Sequence, residues 1–150
     1  MDGAAGFLIA DLWRVRMVAE RSGTFFGVHM TAGEIYTVAG TGSFGFSGDG
    51  APATKAEITD NAVTIDSAGN LVISDQQSYQ IRVVAASSGT FYGIPMTAGD
   101  IYTVAGGGSG ARRRRTRHEG HDQLCRRLAA LGPDVVFSDL FNERVRELTR

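Results

Sequence analysis

One 22-residue segment that recurs at a fixed distance limits what this chain can fold into more than any other feature. Residues 21–42 read RSGTFFGVHMTAGEIYTVAGTG. Residues 87–108, 66 positions later, read SSGTFYGIPMTAGDIYTVAGGG, identical at 16 of 22 positions without a gap. Self-similarity at one period implies a fold assembled from copies of a single supersecondary unit. The flanks extend the match. DGAAGFLIAD (2–11) aligns with DSAGNLVISD (66–75) at an offset of 64, because the first copy lacks two residues where Asp11-Leu12-Trp13 runs directly into Arg14-Val15-Arg16. A third copy appears at Val135-Val136-Phe137-Ser138-Asp139, 64 positions after Leu71-Val72-Ile73-Ser74-Asp75, and Arg146 falls on Arg82 in the same step.

Within the unit the local pattern is β. Val63-Thr64-Ile65, Leu71-Val72-Ile73, Ile81-Arg82-Val83-Val84 and Ile101-Tyr102-Thr103-Val104-Ala105 are short and rich in β-branched and aromatic residues. Turn chemistry bounds each of them: Asp66-Ser67-Ala68-Gly69-Asn70, the polar run from Asp75 to Gln80, Ser87-Ser88-Gly89, and Gly106-Gly107-Gly108. Twenty glycines against three prolines agree with many tight turns. Four strands joined by hairpin-length turns predict one four-stranded antiparallel sheet per unit. Such a sheet is stabilised by stacking on its neighbours. The unbroken apolar run Leu71 to Ile73 suits a strand covered on both faces.

Composition removes several function classes. A net charge of −1 gives no global reason to expect nucleic acid or an anionic membrane as partner. A single cysteine, Cys125, excludes an intrachain disulfide and a Cys-based zinc site. No apolar run approaches the length of a membrane helix, and Met1-Asp2-Gly3 does not open a signal peptide. Gly40-Thr41-Gly42-Ser43-Phe44-Gly45 matches the spacing of a dinucleotide fingerprint, but no helix is expected after it, so it reads as a glycine-rich connection. Asp11, Asp75 and Asp139 recur at strand ends in step with Arg16, Arg82 and Arg146. Repeated acids could bind cations or polar ligands. Their recurrence with arginines favours structural pairing. His29 is replaced by Pro95 in the second copy, and Asp49 alone is too few oxygens for calcium, so a turn role is expected of it. His118 and His121, flanked by Glu119 and Asp122, have metal-ligand spacing, and Cys125 is the one candidate thiol nucleophile. Neither forms a convincing constellation, so no catalytic residue, metal or cofactor is assigned.

The pattern G-N-L-V-I-S-D, a hydrophobic-Arg pair, and then I-Y-T-V-A-G resembles the NHL-repeat β-propellers, in the variety found in high-GC bacterial proteins. The S-G-T-F-Y-G-x-x-M-T-A-G insert belongs to that likeness. So does the linker from Gly45 to Glu57, which resembles the family's inter-blade connection. The likeness covers about 2–108 and 134–149. It implies an all-β fold, an incomplete β-propeller of four-stranded antiparallel blades forming an open arc, with an irregular or short-helical insert near 112–133. The expected organisation is a partial blade over 1–42, a linker and complete blade over 43–108, an anomalous basic segment over 109–133 and a partial blade over 134–150. Where the family has an apolar-Gly approach to its innermost strand, this chain has Ile58-Thr59-Asp60-Asn61-Ala62, and the deletion after Trp13 shortens a turn that sets strand register. The implied function is a non-catalytic repeat module for a protein or carbohydrate ligand, or a scaffold, extracellular or cell-envelope in a parent protein. Self-association through open blade edges is expected. The alternatives are a fragment of a propeller lyase or lactonase-like hydrolase, or of a receptor kinase's sensor region.

Between the second and third copies the pattern is lost: SGARRRRTRHEGHDQLCRRLAALGP occupies 109–133. Arg112 to Arg115 with Arg117 form a basic cluster. Leu124, Leu128 and Leu131 have helical spacing before Gly132-Pro133, which predicts a short helix or disorder. The genetic code offers a simpler origin for the cluster. Codons for Arg112 through His121, read one base later, can encode Gly-Asp-Gly-Gly-Pro-Ala-Thr-Lys-Ala. That nearly reproduces Gly48-Asp49-Gly50-Ala51-Pro52-Ala53-Thr54-Lys55-Ala56, 64 positions earlier. A frame change near 109–111, restored before about 134, accounts for the segment. The coding DNA is therefore expected to show a GDGGPATKA-like peptide in a second frame across these codons. Its absence from all frames would refute the frame change.

Overall fold

Runs of β-branched residues punctuated by glycine turns become strands throughout the computed structural model, which describes residues 6–75, 78–106, 124–139 and 144–149. The described residues are all-β. In the first sheet, β1 (Gly6–Ala10), β2 (Val15–Ala19) and β5 (Ile35–Ala39) pair antiparallel in the order β1-β2-β5, with the hairpin β3 (Gly23–Phe25) and β4 (Val28–Met30) inserted between β2 and β5. The second sheet begins with β6 (Ala51–Pro52) and a 3-10 turn, Ala53–Lys55. It continues through β7 (Asp60–Ile65), β8 (Leu71–Asp75), β9 (Gln80–Val84) and β12 (Asp100–Gly106), in the order β6-β12-β9-β8-β7. Its inserted hairpin is β10 (Gly89–Phe91) and β11 (Ile94–Met96). The third sheet is β13 (Leu124–Leu131), β14 (Asp134–Asp139) and β15 (Arg144–Leu148). The second thus holds a four-stranded antiparallel meander, as the repeat predicts. No helix among the described residues is long and apolar enough to cross a membrane.

The repeat survives as register. Ile9 faces Arg16, Ile73 faces Arg82, and Phe137 faces Arg146 across their hairpins. The two-residue deletion leaves that register unchanged because it is absorbed in the turn. Asp11 N–H donates to the Arg14 carbonyl at 2.8 Å and Arg14 N–H to the Asp11 carbonyl at 3.2 Å, closing a two-residue loop. Leu12 and Trp13 then take φ of 45° and 66°, the left-handed conformation that this loop length requires and that bulky residues resist.

Side-chain bonds explain why the inserted hairpin recurs almost letter for letter. The Tyr36 hydroxyl accepts from Thr31 N–H, and Tyr102 accepts from Thr97 N–H, each at 3.0 Å. Ser22 Oγ accepts from Ala32 N–H at 3.0 Å, and Ser88 Oγ from Ala98 N–H at 3.1 Å. Each pair ties the turn before the last strand to its own unit. The first hairpin also reaches the second sheet, where a Cβ placed on Gly99 would lie 2.9 Å from Gly27 Cα. Only glycine permits that approach.

Burial falls into two layers. Met17, Met30, Val38 and Phe26 of the first unit pack with Ile58 of the linker and with Leu71, Ile73, Val84 and Ile101. Val72, Ile81, Val83, Phe91 and Met96 pack on the other side with Val135 and Phe137. The second sheet is therefore covered on both faces, the physical reason for the unbroken apolar run Leu71 to Ile73. Each fully buried Leu, Ile or Val there contributes roughly 1.5–3 kcal/mol.

Residues 124–131 correct one expectation. They form a strand, β13, and neither a helix nor an irregular insert. Leu128 and Ala130 are half-buried while Arg127, Ala129 and Leu131 are exposed, a period of two that faces Leu128 onto the cluster around Phe137. The unpaired edge of β14 offers a ladder to any extended segment, and that ladder outweighs helical leucine spacing. Gly132-Pro133 closes a hairpin in place of ending a helix. The remainder of the anomalous segment, 109–123, lies outside the described residues.

Leu12→Asn relieves the left-handed strain at an exposed position whose side chain packs little. It should stabilise the chain by about 0.5–1 kcal/mol in urea unfolding, since Asn tolerates this conformation.

Candidate functional site

The connection between the first two sheets is an extended strap over residues 41–58, bonded on both sides. Gly40 N–H donates to the Ala53 carbonyl at 2.9 Å and Thr41 N–H to Ala56 at 3.0 Å, on the side of the first sheet. Ala53 N–H donates to Gly99 at 3.0 Å and Gly50 N–H to Ile101 at 2.8 Å, on the side of the second. Gly40 and Gly42, with φ of 86° and 85°, start this strap. No α-helix opens at Gly40 to Gly45, so the dinucleotide reading has no structural basis among the described residues.

Arg82 holds the strap from within. It is fully buried on β9, between Ile73 and Thr103. Its Nη1 donates to the Glu57 carbonyl at 3.1 Å; its Nη2 donates to the Ser47 carbonyl at 2.8 Å and to Asp49 Oδ1 at 2.6 Å. Asp49 Oδ2 accepts from Thr103 N–H at 3.2 Å, so one carboxylate ties the strap to two strands. The Phe46 ring covers the guanidinium, with its centroid 4.7 Å from Cζ. Asp75 is fully buried beside it. Its Oδ1 accepts from Thr59 N–H at 3.2 Å and from the Thr59 hydroxyl, while Oδ2 lies 3.8 Å from Arg82 Nη1. Among the described residues, Asp75 Oδ2 and Arg82 Nε make no hydrogen bond.

The recurrent acids and arginines are not used alike in the three copies. Asp75 and Arg82 meet, but the shorter contact of Arg82 is with Asp49, a residue whose sequence context suggests only a turn. Asp11 is exposed and closes its turn through its backbone, and no ion pair joins it to Arg16 among the described residues. Arg16 Nε is buried, with no hydrogen bond among the described residues. Asp139 ends β14 opposite Arg144, with its side chain outside the described residues, and Arg146 sits on β15 opposite Phe137. Thr59, Phe46 and Ser47 carry no sequence signal for their contacts with Asp75 and Arg82. One signal could have found Asp49. It precedes Arg82 by 33 positions, and the codons of the basic cluster read one base later can encode an Asp at position 113, 33 before Arg146, where this chain has Arg113.

His29 is exposed, with Nδ1 3.4 Å from Thr24 Oγ1, and Pro95 takes its place in the second hairpin. His118 and His121, Glu119 and Asp122, and the arginines of 112–117 lie outside the described residues. Cys125 lies within β13, its side chain likewise undescribed. Among the described residues no group of three His, Cys, Asp or Glu side chains could hold a metal.

Two concavities among the described residues bear on the site. One, of about 180 Å³, is lined by Phe44, Gly45, Phe46, Thr59 and Ser78, directly outside the Asp75–Arg82 pair. Trp13 meets Phe44 edge-on at 6.0 Å, and Phe44 and Phe46 stay 58% and 44% exposed. The other, about 520 Å³ and mostly apolar, lies between β7 and the third sheet, against Ala62, Leu128, Val136, Phe137 and Val145. Against known proteins, the chain matches no family model and no curated sequence.

Arg82→Leu removes the donor from two carbonyls and the Asp49 carboxylate, and the counter-charge from Asp75, at once. It should cost roughly 3–5 kcal/mol, because the buried Asp75 is left uncompensated. Asp49→Asn should cost less, about 1–2 kcal/mol, since its amide oxygen can still accept from one partner. Paired urea titrations of both variants check the order.

Proposed function

We propose that this chain is a non-catalytic binding or scaffold module, a fragment of an NHL-repeat type β-propeller whose blades are the three sheets. One observation supports this reading above the rest. Three hairpins separated in sequence by about one repeat hold the same cross-strand register, and the complete second unit is a four-stranded meander buried on both faces. Stacked units of this kind present their turns at the ends of the sheets, where side chains not needed for packing are free to meet a ligand.

The aromatic group Trp13, Phe44 and Phe46 is the best candidate for such a surface. Trp13 comes from the β1–β2 turn and the two phenylalanines from the strap, so two separate segments converge there. Exposed flat rings beside the hydroxyls of Thr59 and Ser78 suit a ligand with both apolar faces and polar edges. A protein loop or a carbohydrate has that character.

The chain's single tryptophan lies in this group and supplies the assay. Titration with a panel of neutral oligosaccharides and extended peptides, followed by Trp13 emission, should give a saturable change with at least one member. Phe44→Ala and Phe46→Ala should each weaken it about tenfold, corresponding to 1–1.5 kcal/mol per ring. An emission change that persists undiminished in both variants, or turnover of a lyase or lactone substrate by the chain, would overturn the proposal.

A further inference from the structure

The outer edge of the third sheet carries no strand among the described residues, although the equivalent edge is covered in the other two. On β9 the cover is β12, with Ile101 opposite Val84, Tyr102 opposite Val83, Thr103 opposite Arg82 and Ala105 opposite Ile81, and a bulge at Val104. On β2 it is β5, with Ile35 opposite Val18, Tyr36 opposite Met17, Thr37 opposite Arg16 and Ala39 opposite Val15, and the bulge at Val38. Sequence, register and bulge agree in both: the edge takes I-Y-T-V-A. β15 is the same edge. Its pairing with β14 keeps the β8–β9 register, since Val135 faces Leu148 as Leu71 faces Val84, 64 positions earlier. Val145 is 77% exposed where its counterpart Ile81 is fully buried.

We propose that β15 is a docking edge for an extended peptide of the I-Y-T-V-A-G type, supplied from outside residues 1–150 and paired antiparallel. This rests on the repeat equivalence used above and not on the aromatic surface. The register follows from adding 64 to each β9 position: Ile opposite Leu148, Tyr opposite Glu147, Thr opposite Arg146 and Ala opposite Val145. An unpaired edge leaves a row of backbone donors and acceptors, and strand addition satisfies them with main-chain bonds while side chains set the register. A second copy of the chain is the poorer source. Exchanging its β5 would open the edge of β2 for every β15 it closed, so no pairing is gained. β12 is held between β9 and β6 and is less available still.

The test uses the full chain and a labelled peptide of residues 97–108. Fluorescence anisotropy should show saturable binding, at least tenfold tighter than for a scrambled peptide or one N-methylated at alternate amides. Val145→Pro should weaken binding at least tenfold. Because proline could also disturb the third sheet, a second readout keeps the outcome decisive. A benzophenone at the peptide's Tyr102 position should cross-link to the wild-type chain within 146–148. No saturable binding, equal binding of the N-methylated peptide, or cross-links mapping to β1, β7 or β6 would overturn the proposal. So would oligomers of the chain that the peptide disperses without labelling β15.

Discussion

The buried guanidinium of Arg82 is the interaction on which the arrangement of the first two sheets depends. An arginine in the middle of a sheet is costly unless every donor direction is answered and its charge is balanced. Here two carbonyls of the strap and the carboxylate of Asp49 answer the terminal nitrogens, and the nearby carboxylate of Asp75 completes the charge balance. The ring of Phe46 closes over the group, leaving Nε as the one guanidinium nitrogen without a hydrogen bond among the described residues. The acceptors lie 25 to 35 residues away along the chain, so the guanidinium converts a flexible connection into a fixed spacer. A planar fork with five donors meets acceptors in several directions, which a lysine in the same place could not.

With the strap fixed, packing follows. Ile58 is delivered into the layer between the sheets, and Ala53 and Ala56 are buried at close quarters, small enough to let the strap lie flat. The second sheet then has neighbours on both faces, while the first and third keep exposed apolar edges at Phe7 and Val145. Stability is therefore concentrated in the middle unit, as nearest-neighbour stacking requires. The aromatic surface and the docking edge both lie where this stacking leaves side chains or backbone unanswered.

Two features show how far local preference yields to that context. Leu12 and Trp13 accept left-handed backbone because the register of β1 against β2 is set by buried Val15 and Met17, and the turn has only two residues in which to comply. Residues 124–131, spaced like a helix, become a strand because β14 has an open ladder and a hydrophobic cluster on which Leu128 packs. Side-chain area and backbone pairing acting together exceed propensity differences of a few tenths of a kcal/mol per residue.

Much was legible in the sequence, and for an identifiable reason. Periodicity reports strands and turns through local chemistry, so the 66-residue repeat, the hairpin signals and the two-sided strand Leu71 to Ile73 could be read directly. Even the register was implicit, because equal offsets at Ile73–Arg82 and Phe137–Arg146 force equal pairing. What escaped was whatever joins segments with no shared period. Asp49 as the chief partner of Arg82, Thr59 on Asp75, and the aromatic convergence of Trp13 with Phe44 are contacts between separate stretches, chosen by burial. The strand at 124–131 is a hairpin partner of β14, chosen by backbone pairing and by the cluster under Leu128. The sequence by itself determined the repeating β unit, since its period is written in local residue types. Only the tertiary structure decided which charges meet, because the cost of burying Arg82 is set by the neighbours that the fold brings to it.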